Sequence, residues 1–416
     1  GRLFMSRLQL VNDKILEAVS LDKAVDISCE SIQALDTEYL HIDNAYMRVA
    51  ADNIASFIDI PNFDRSAMDG YTIGKTDLKR LQTGRSLRLR VASIIGAGSI
   101  ENRPTRPGET CRIMTGALLP EGSVAVIKQE DVEIINENYI IVSIRPRRGE
   151  NIRRAGHELM AGDRVAAKGQ VLKAEILERI AACGIERVPV YKVPRVYIID
   201  TGNELLLPGS PIKTGCIYCS NRSLLACKIN SSRALPSLSP SVINDDLHTI
   251  IAAIKKAARV SDMIIISGGT GNGLFDLVRN AFEYLNAQLL FKGINVFPGK
   301  NTSAALLDGK LIFNLSGSPS AAGILFEALV KPALLKLKGE LLYKGDWFNI
   351  ELASPIEHLK SGRSLHRGEM IIEQGHAYAL PVNRKDINTG NIPLLLDVHK
   401  RSGEEPVMVK AKLIVD

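Results

Sequence analysis

The stretch Arg195-Val-Tyr-Ile-Ile-Asp200-Thr-Gly202 decides the fold. Its unbroken apolar run, rich in β-branched side chains, stands between Pro194 and a Thr-Gly pair. Such a run reads as a strand covered on both faces, the condition of a parallel sheet. The pattern returns downstream. A helix is expected around Arg222 to Ser231, a short apolar segment at Ser241 to Ile243, and a second helix from Asp246 to Val260. The run Met263 to Ile266 then enters Ser267-Gly268-Gly269, a helix follows from Leu274 to Leu285, and Leu311 to Leu315 ends in Ser316-Gly317. Strands alternating with helices, with glycine-rich loops after the strands, specify an α/β domain with a mainly parallel sheet.

Outward from this block the texture changes. Toward the N-terminus, Leu8 to Val19 and Leu40 to Phe57 carry apolar spacings that predict amphipathic helices. From Asp59 short alternating runs dominate, such as Leu87 to Val91, Ala125 to Ile127 and Tyr139 to Val142, and predict an all-β module closed by Arg145 to Gly149. Gly162-Asp163 and Gly169-Gln170 bracket two short strands, and Lys173 to Cys183 predicts a helix capped by Gly184. Beyond Leu341 short alternating strands return, hence a second β module. No internal repeat is present.

The chain has 416 residues, room for about two to four domains of ~100–200 residues. Hydrophobic residues make up 45% and charged residues 24%, which places it among globular proteins. Aromatics are 5% with the single Trp347, so the cores rest on Ile, Leu, Val and Ala. The net charge of +6 is spread without a dense basic block, which gives nucleic-acid binding no support. No apolar run reaches the ~18 residues of a membrane span, and Gly1 to Ser6 does not read as a signal peptide. Six dispersed cysteines suit reduced thiols in the cytoplasm. The Cys216-Ile-Tyr-Cys219 spacing lacks the second pair a zinc site wants, and reads as two incidental thiols.

In open parallel sheets, ligands sit beyond the carboxyl ends of the strands. Three loops occupy that position: Thr201 to Leu205, Ser267 to Gly273 and Asn314 to Ser320. Glycines there let backbone amides approach an anion, so a phosphate-bearing ligand is expected. One such loop alone is as readily a structural turn. The second loop lacks the Gly-Lys-Ser/Thr ending of a nucleotide-hydrolysing P-loop. Glu204, Asp245, Asp246 and Asp276 lie beside these loops. Acids in a phosphate site imply a divalent cation, although each could equally cap a helix. Two irregular segments complete the inventory: Asp59 to Tyr71, with several acids and an arginine, and Arg147 to Gly156, with four arginines able to meet phosphate.

These residues resemble the molybdopterin molybdenumtransferases, the family of the bacterial MoeA proteins and the C-terminal part of gephyrin. The likeness runs through Pro61-Asn-Phe-Asp64-Arg-Ser66-Ala-Met-Asp69-Gly70-Tyr71, Arg112-Ile-Met-Thr115-Gly116, Gly149 to Gly156, Thr201-Gly-Asn-Glu204, Gly215 to Arg222, Asp245-Asp246, Ser267-Gly-Gly269, Asp276 and Pro298-Gly-Lys300. It implies an elongated, multi-domain α/β plus β chain: a discontinuous linker domain (5–58 and 145–190), an inserted β domain (59–144), an α/β molybdopterin-binding domain (191–337) and a C-terminal β-barrel-like domain (340–416). It also implies a homodimer, with the Asp69 region of one subunit completing the α/β site of the other.

The implied reaction inserts molybdate into adenylylated molybdopterin with Mg²⁺-dependent release of AMP, downstream of a molybdopterin adenylyltransferase. By motif position Asp69, Thr115, Glu204, Asp245 and Asp276 are catalytic, with Glu204, Asp245 and Asp276 around the metal. Ser267, Gly268, Gly269, Ser316, Gly317, Pro319, Asn221 and Arg222 would hold the pterin ligand, and Lys300 and Arg153 molybdate or phosphate charge. The chain departs from the family pattern at Thr270-Gly271-Asn272, at Ser316 and Ser318, at Gly293 and Phe297 where lysines are usual, at Asn203, and at Cys219. These altered anion loops leave a second reading, a non-catalytic paralogue that binds a pterin or serves as a dimeric scaffold.

Overall fold

The computed structural model describes residues 18–81, 85–100, 104–269, 277–356, 359, 361–382, 391–400 and 406–414. The Arg195–Asp200 strand lies inside a six-stranded sheet. Leu235–Leu238 and Met263–Ser267 flank it in parallel, and Lys310–Leu315 follows in parallel beside Met263–Ser267. Ser303–Leu307 and then Gln288–Phe291 close the other edge antiparallel. Alternation assigns the two faces. Val196, Ile198, Met263, Ile265, Leu311 and Phe313 pack toward the Asn221–Ser231 helix and the chain's last helices. Tyr197, Ile199, Ile264, Ile266 and Ile312 pack toward the Leu247–Val260 and Leu277–Tyr284 helices. Both faces are covered, as the continuous apolar runs require.

The helices expected in this unit form within a few residues of their predicted limits. Asp246 is the N-cap of Leu247–Val260 and accepts from the Thr249 N–H at 2.9 Å. Residues 270–276 and 1–17 fall outside the described residues, and with them the start of the Leu274 helix and nearly all of the Leu8 to Val19 helix.

The expected helix from Leu40 to Phe57 is not formed. Thr37–His41 is a strand paired antiparallel with Arg187–Tyr191, followed by a single 3₁₀ turn, and Ile54–Ala55 pairs with Arg164–Ala166. The apolar spacing of this segment fits both periods. Partners more than a hundred residues away decide for the extended form, because they bury Ala45, Ala50 and Ile54 against Val165, Leu172, Ile180, Val188 and Val190. A helix at Leu21–Glu30, capped by Ser20, packs instead on the last helices beside the parallel sheet.

Between the two halves of this paired unit lies the inserted β module, a six-stranded sheet running from Gly70 to Val142. The Lys173 to Cys183 helix is present as Ala174–Ala182, and Gly184 takes φ +72° after it. The C-terminal residues form a closed five-stranded barrel. No described helix is long and apolar enough to cross a membrane.

Candidate active site at the ends of the parallel strands

The three loops meet where the central strands end. The Thr201 N–H donates to the Ser267 carbonyl at 3.0 Å, and the Gly268 N–H to the Leu315 carbonyl at 3.3 Å. Gly268 takes φ +106°, and a Cβ there would overlap the Thr201 carbonyl oxygen. Only glycine brings these two loops this close. The third loop comes equally near, since a Cβ on Gly317 would lie 3.7 Å from the Gly268 Cα. Asn221 fastens the floor: its Nδ2 donates to Ser267 Oγ at 2.6 Å and to the Gly317 carbonyl at 2.8 Å, while its Oδ1 is buried without a partner. Ser267, Gly268, Gly269, Gly317 and Asn221 thus form one cradle. Ser316 follows at its rim, accepting from the Ser318 N–H at 3.4 Å, and Pro319 opens the next helix.

The first loop supplies the acids. Asp245 Oδ1 accepts from the Thr201 hydroxyl at 2.9 Å and Oδ2 from the Asn203 N–H at 3.3 Å. The Asp245 N–H in turn donates to Asn203 Oδ1 at 3.1 Å. Asn203 therefore orients Asp245 through its amide oxygen. Glu204 folds back over Gly202, its carboxylate about 3 Å from where a Cβ would stand. Both acids are exposed at the cradle's edge. Among the described residues no group of three His, Cys, Asp or Glu is clustered tightly enough to hold a metal ion. Asp276, the third expected acid, lies outside them.

Arg222 is turned inward. Its Nη2 donates to the Ser239 carbonyl at 2.5 Å, and its Nε lies 3.6 Å from Asp200 Oδ2, with Arg222 only 8% exposed. The guanidinium is thus committed to the interior. Asp200 is fully buried and neither oxygen has a hydrogen-bond partner. Burial pushes its carboxyl up, opposed by the neighbouring Cys219 thiol and by the Arg222 charge. Burial and then the Asp200 charge push the Cys219 thiol up to about 11. Sequence reasoning marked Asn203 only as a departure from the family pattern and singled out neither Thr201 nor Asp200. The signal for Asp200 was there: a carboxylate ending an otherwise apolar strand.

Asp69 and Thr115 stand together in the inserted module. Asp69 Oδ1 accepts from both the Thr115 N–H and its hydroxyl, each at 2.7 Å. The N–H first, then the hydroxyl, hold the carboxyl below the usual carboxylate range. The exposed Thr115 is placed by Gly116, whose φ of +80° turns the chain after Met114. Arg153 lies in the same unit, on a strand paired with Arg65–Ser66, with Nη1 3.3 Å from Glu158 Oε1. Among the described residues, no strand of the inserted sheet packs extensively on the parallel sheet or its helices. Lys300 is exposed after Gly299, which packs on Val296 and Leu325. All six cysteines are unpaired.

An α/β sheet whose strand ends bring two acids and a glycine cradle together has the form of the ligand crevice of an open, mainly parallel α/β domain. Residues 19–184 match the MoeA N-terminal region (domain I and II), and residues 197–336 a probable molybdopterin binding domain. The molybdopterin molybdenumtransferase of Bacillus subtilis is 33% identical over 319 residues, covering 76% of this chain and 74% of that protein. That of Haemophilus influenzae is 34% identical over 330 residues, 78% and 79% of the two chains. The crystal structure of the molybdopterin biosynthesis MoeA protein from Pyrococcus horikosii superposes with a TM-score of 0.81 at 29% identity, over 95% of this chain and 99% of that one. The chain belongs to the molybdopterin molybdenumtransferase family.

Proposed function

We propose that this protein is an active molybdopterin molybdenumtransferase, which takes adenylylated molybdopterin, inserts molybdate into its dithiolene and releases AMP. The carrying observation is the Thr201–Asn203–Asp245 arrangement beside the Ser267-Gly268-Gly269 cradle. The cradle amides would take the ligand's phosphate. Glu204 and Asp245, exposed at its rim, suit Mg²⁺, which needs only one or two protein carboxylates when substrate phosphates and waters supply the rest. Asp276 would be a third ligand by motif position. Bound there, Mg²⁺ would neutralise the phosphoanhydride charge and polarise phosphorus toward water. Thr201 and Asn203 hold Asp245 in one orientation throughout. Lys300, Ser316 and Pro319 belong to the same ligand surface in this reading.

Asp69 and Thr115 lie in a module that, among the described residues, does not pack extensively on the parallel sheet, so in this reading they reach the cradle of a second subunit in a homodimer. The four-domain division given above, an upstream adenylyltransferase as supplier and a cytoplasmic location belong to the same proposal. The non-catalytic reading draws on the altered anion loops, but the Asp69–Thr115 and Thr201–Asn203–Asp245 geometry favours turnover. Incubating the protein with adenylylated molybdopterin, molybdate and Mg²⁺ is expected to release AMP, and chelation with EDTA to stop it. Tight pterin binding without AMP would establish the scaffold reading instead.

A further inference from the structure

Where the paired N-terminal unit meets the α/β unit, a cavity of about 100 Å³ is lined by Tyr46, Arg48, Tyr191, Lys192, Arg233 and Lys338, together with apolar residues. Four cations face this space and no carboxylate lines it. Three of the cations are paired from behind. Arg48 Nη2 donates to Glu38 Oε1 and to the Tyr191 carbonyl, both at 2.6 Å. Lys338 Nζ donates to Glu340 Oε1 at 2.8 Å and to the Ser232 carbonyl at 3.0 Å. Lys192 Nζ reaches the exposed Asp36 at 3.4 Å. Arg233 has no carboxylate partner among the described residues, and its guanidinium stands 5.7 Å from the Tyr46 ring centroid.

The backbone points to the same place. Among the described residues, six non-glycine residues take left-handed φ, and two of them, Met47 (61°) and Arg233 (55°), lie at this cavity. Such conformations are costly for residues with a side chain and persist where the surroundings demand them. Arg233 takes its φ directly after Ser232, the C-cap of the Asn221–Ser231 helix, and Met47 follows the short 3₁₀ turn, so both lie where a chain turn brings them to the cavity wall. With three of the cations paired from behind, Arg233 leaves the cavity net positive, and an oxyanion there would meet guanidinium and ammonium donors in charge-assisted hydrogen bonds.

We propose that this cavity binds a tetrahedral oxyanion of the phosphate type, either free or as the phosphate of a nucleoside monophosphate. Bound there, the anion joins Arg48 and Lys192 of one unit to Arg233 and Lys338 of the other and fixes the seam between them. The site shares no residue with the cradle proposed above for the pterin ligand, so the two readings stand or fall separately.

The test is calorimetric titration of the whole protein with inorganic phosphate and with AMP, at ionic strength held constant with chloride. Lys192 and Arg233 are exposed, and their replacement by alanine should leave the fold, checked by thermal unfolding, intact. Phosphate affinity should fall about tenfold in Arg233→Ala and further in the Lys192→Ala/Arg233→Ala double variant, as expected for lost charge-assisted contacts. A Tyr46→Ala variant separates the sources: loss of AMP affinity with phosphate affinity kept assigns a nucleotide, and equal behaviour assigns free phosphate. A double variant that binds phosphate and AMP as tightly as the wild type, or a wild type that binds neither, overturns the proposal.

Discussion

Two carboxylates define the residue scale, and their surroundings drive them in opposite directions. Asp69 is held ionised by the N–H and hydroxyl of Thr115. Replacing Thr115 with Ala removes the hydroxyl and leaves the N–H. The Asp69 titration, followed by carbon NMR of its carboxyl, should then move up toward the ordinary aspartate value near 4. AMP release should fall at least about tenfold, because the carboxylate loses one of the two groups that aim it. An unmoved titration would mean the hydroxyl does not hold the acid. Asp200 behaves the other way, since burial raises its carboxyl above the ordinary 3.8. The folded protein then keeps a proton that the unfolded chain has lost. Stability therefore falls as pH rises from the ordinary value to the raised folded one, and is level above it. Asp200→Asn should erase that segment of slope from urea midpoints measured against pH; an identical slope in the variant contradicts the assignment. Asp69 was legible in the sequence because it sits in an irregular, motif-rich segment. Asp200 carried one signal, a carboxylate ending an apolar strand, but its raised carboxyl comes from a burial that elements distant in sequence create.

At the scale of elements, the α/β unit was readable because its strands are buried on both faces and its helices carry local stop signals. The Leu40 to Phe57 segment was misread for the complementary reason. Its apolar residues serve short edge pairings whose partners, Arg187–Tyr191 and Arg164–Ala166, come much later in the chain. Local periodicity holds no record of them. Helix Leu21–Glu30 carried a cap signal at Ser20, hidden by the amphipathic run that leads into it. No sequence pattern announced the clamp that joins two helices of the α/β unit. Glu327, 2% exposed, binds Lys228 at 2.6 Å and Lys331 at 3.0 Å. Burial alone would raise its carboxyl, but the two ammonium groups hold it below the ordinary 4.5. Its contribution is complete above that value and lost as pH falls through the folded one. Glu327→Gln strands buried positive charge, so it should destabilise the protein by about 3–5 kcal/mol at neutral pH. Denaturant midpoints should show the deficit shrinking in acid; a deficit independent of pH would point to packing.

At the scale of the whole molecule, the proposed site is divided. The cradle and its acids belong to the parallel sheet, while Asp69 and Thr115 belong to a module that does not pack extensively on that sheet. The family likeness reaches both halves, at residues 19–184 and 197–336, and the sequence carried this division as two separate groups of motif residues. In the proposed reading a second subunit unites them, and local sequence signals do not encode such an assembly. A two-fold dimer in which each subunit lends Asp69 to the other's Asp245 makes a quantitative prediction. Asp69→Ala and Asp245→Ala should each be inactive alone. Mixed in equal amounts and allowed to exchange subunits, half of the dimers are hybrids, and each hybrid holds one intact site and one doubly damaged site. The decisive measurement is AMP release by that mixture. Recovery to about a quarter of wild-type activity is the predicted result, and a mixture as inactive as its parents, with exchange verified, would contradict the shared site.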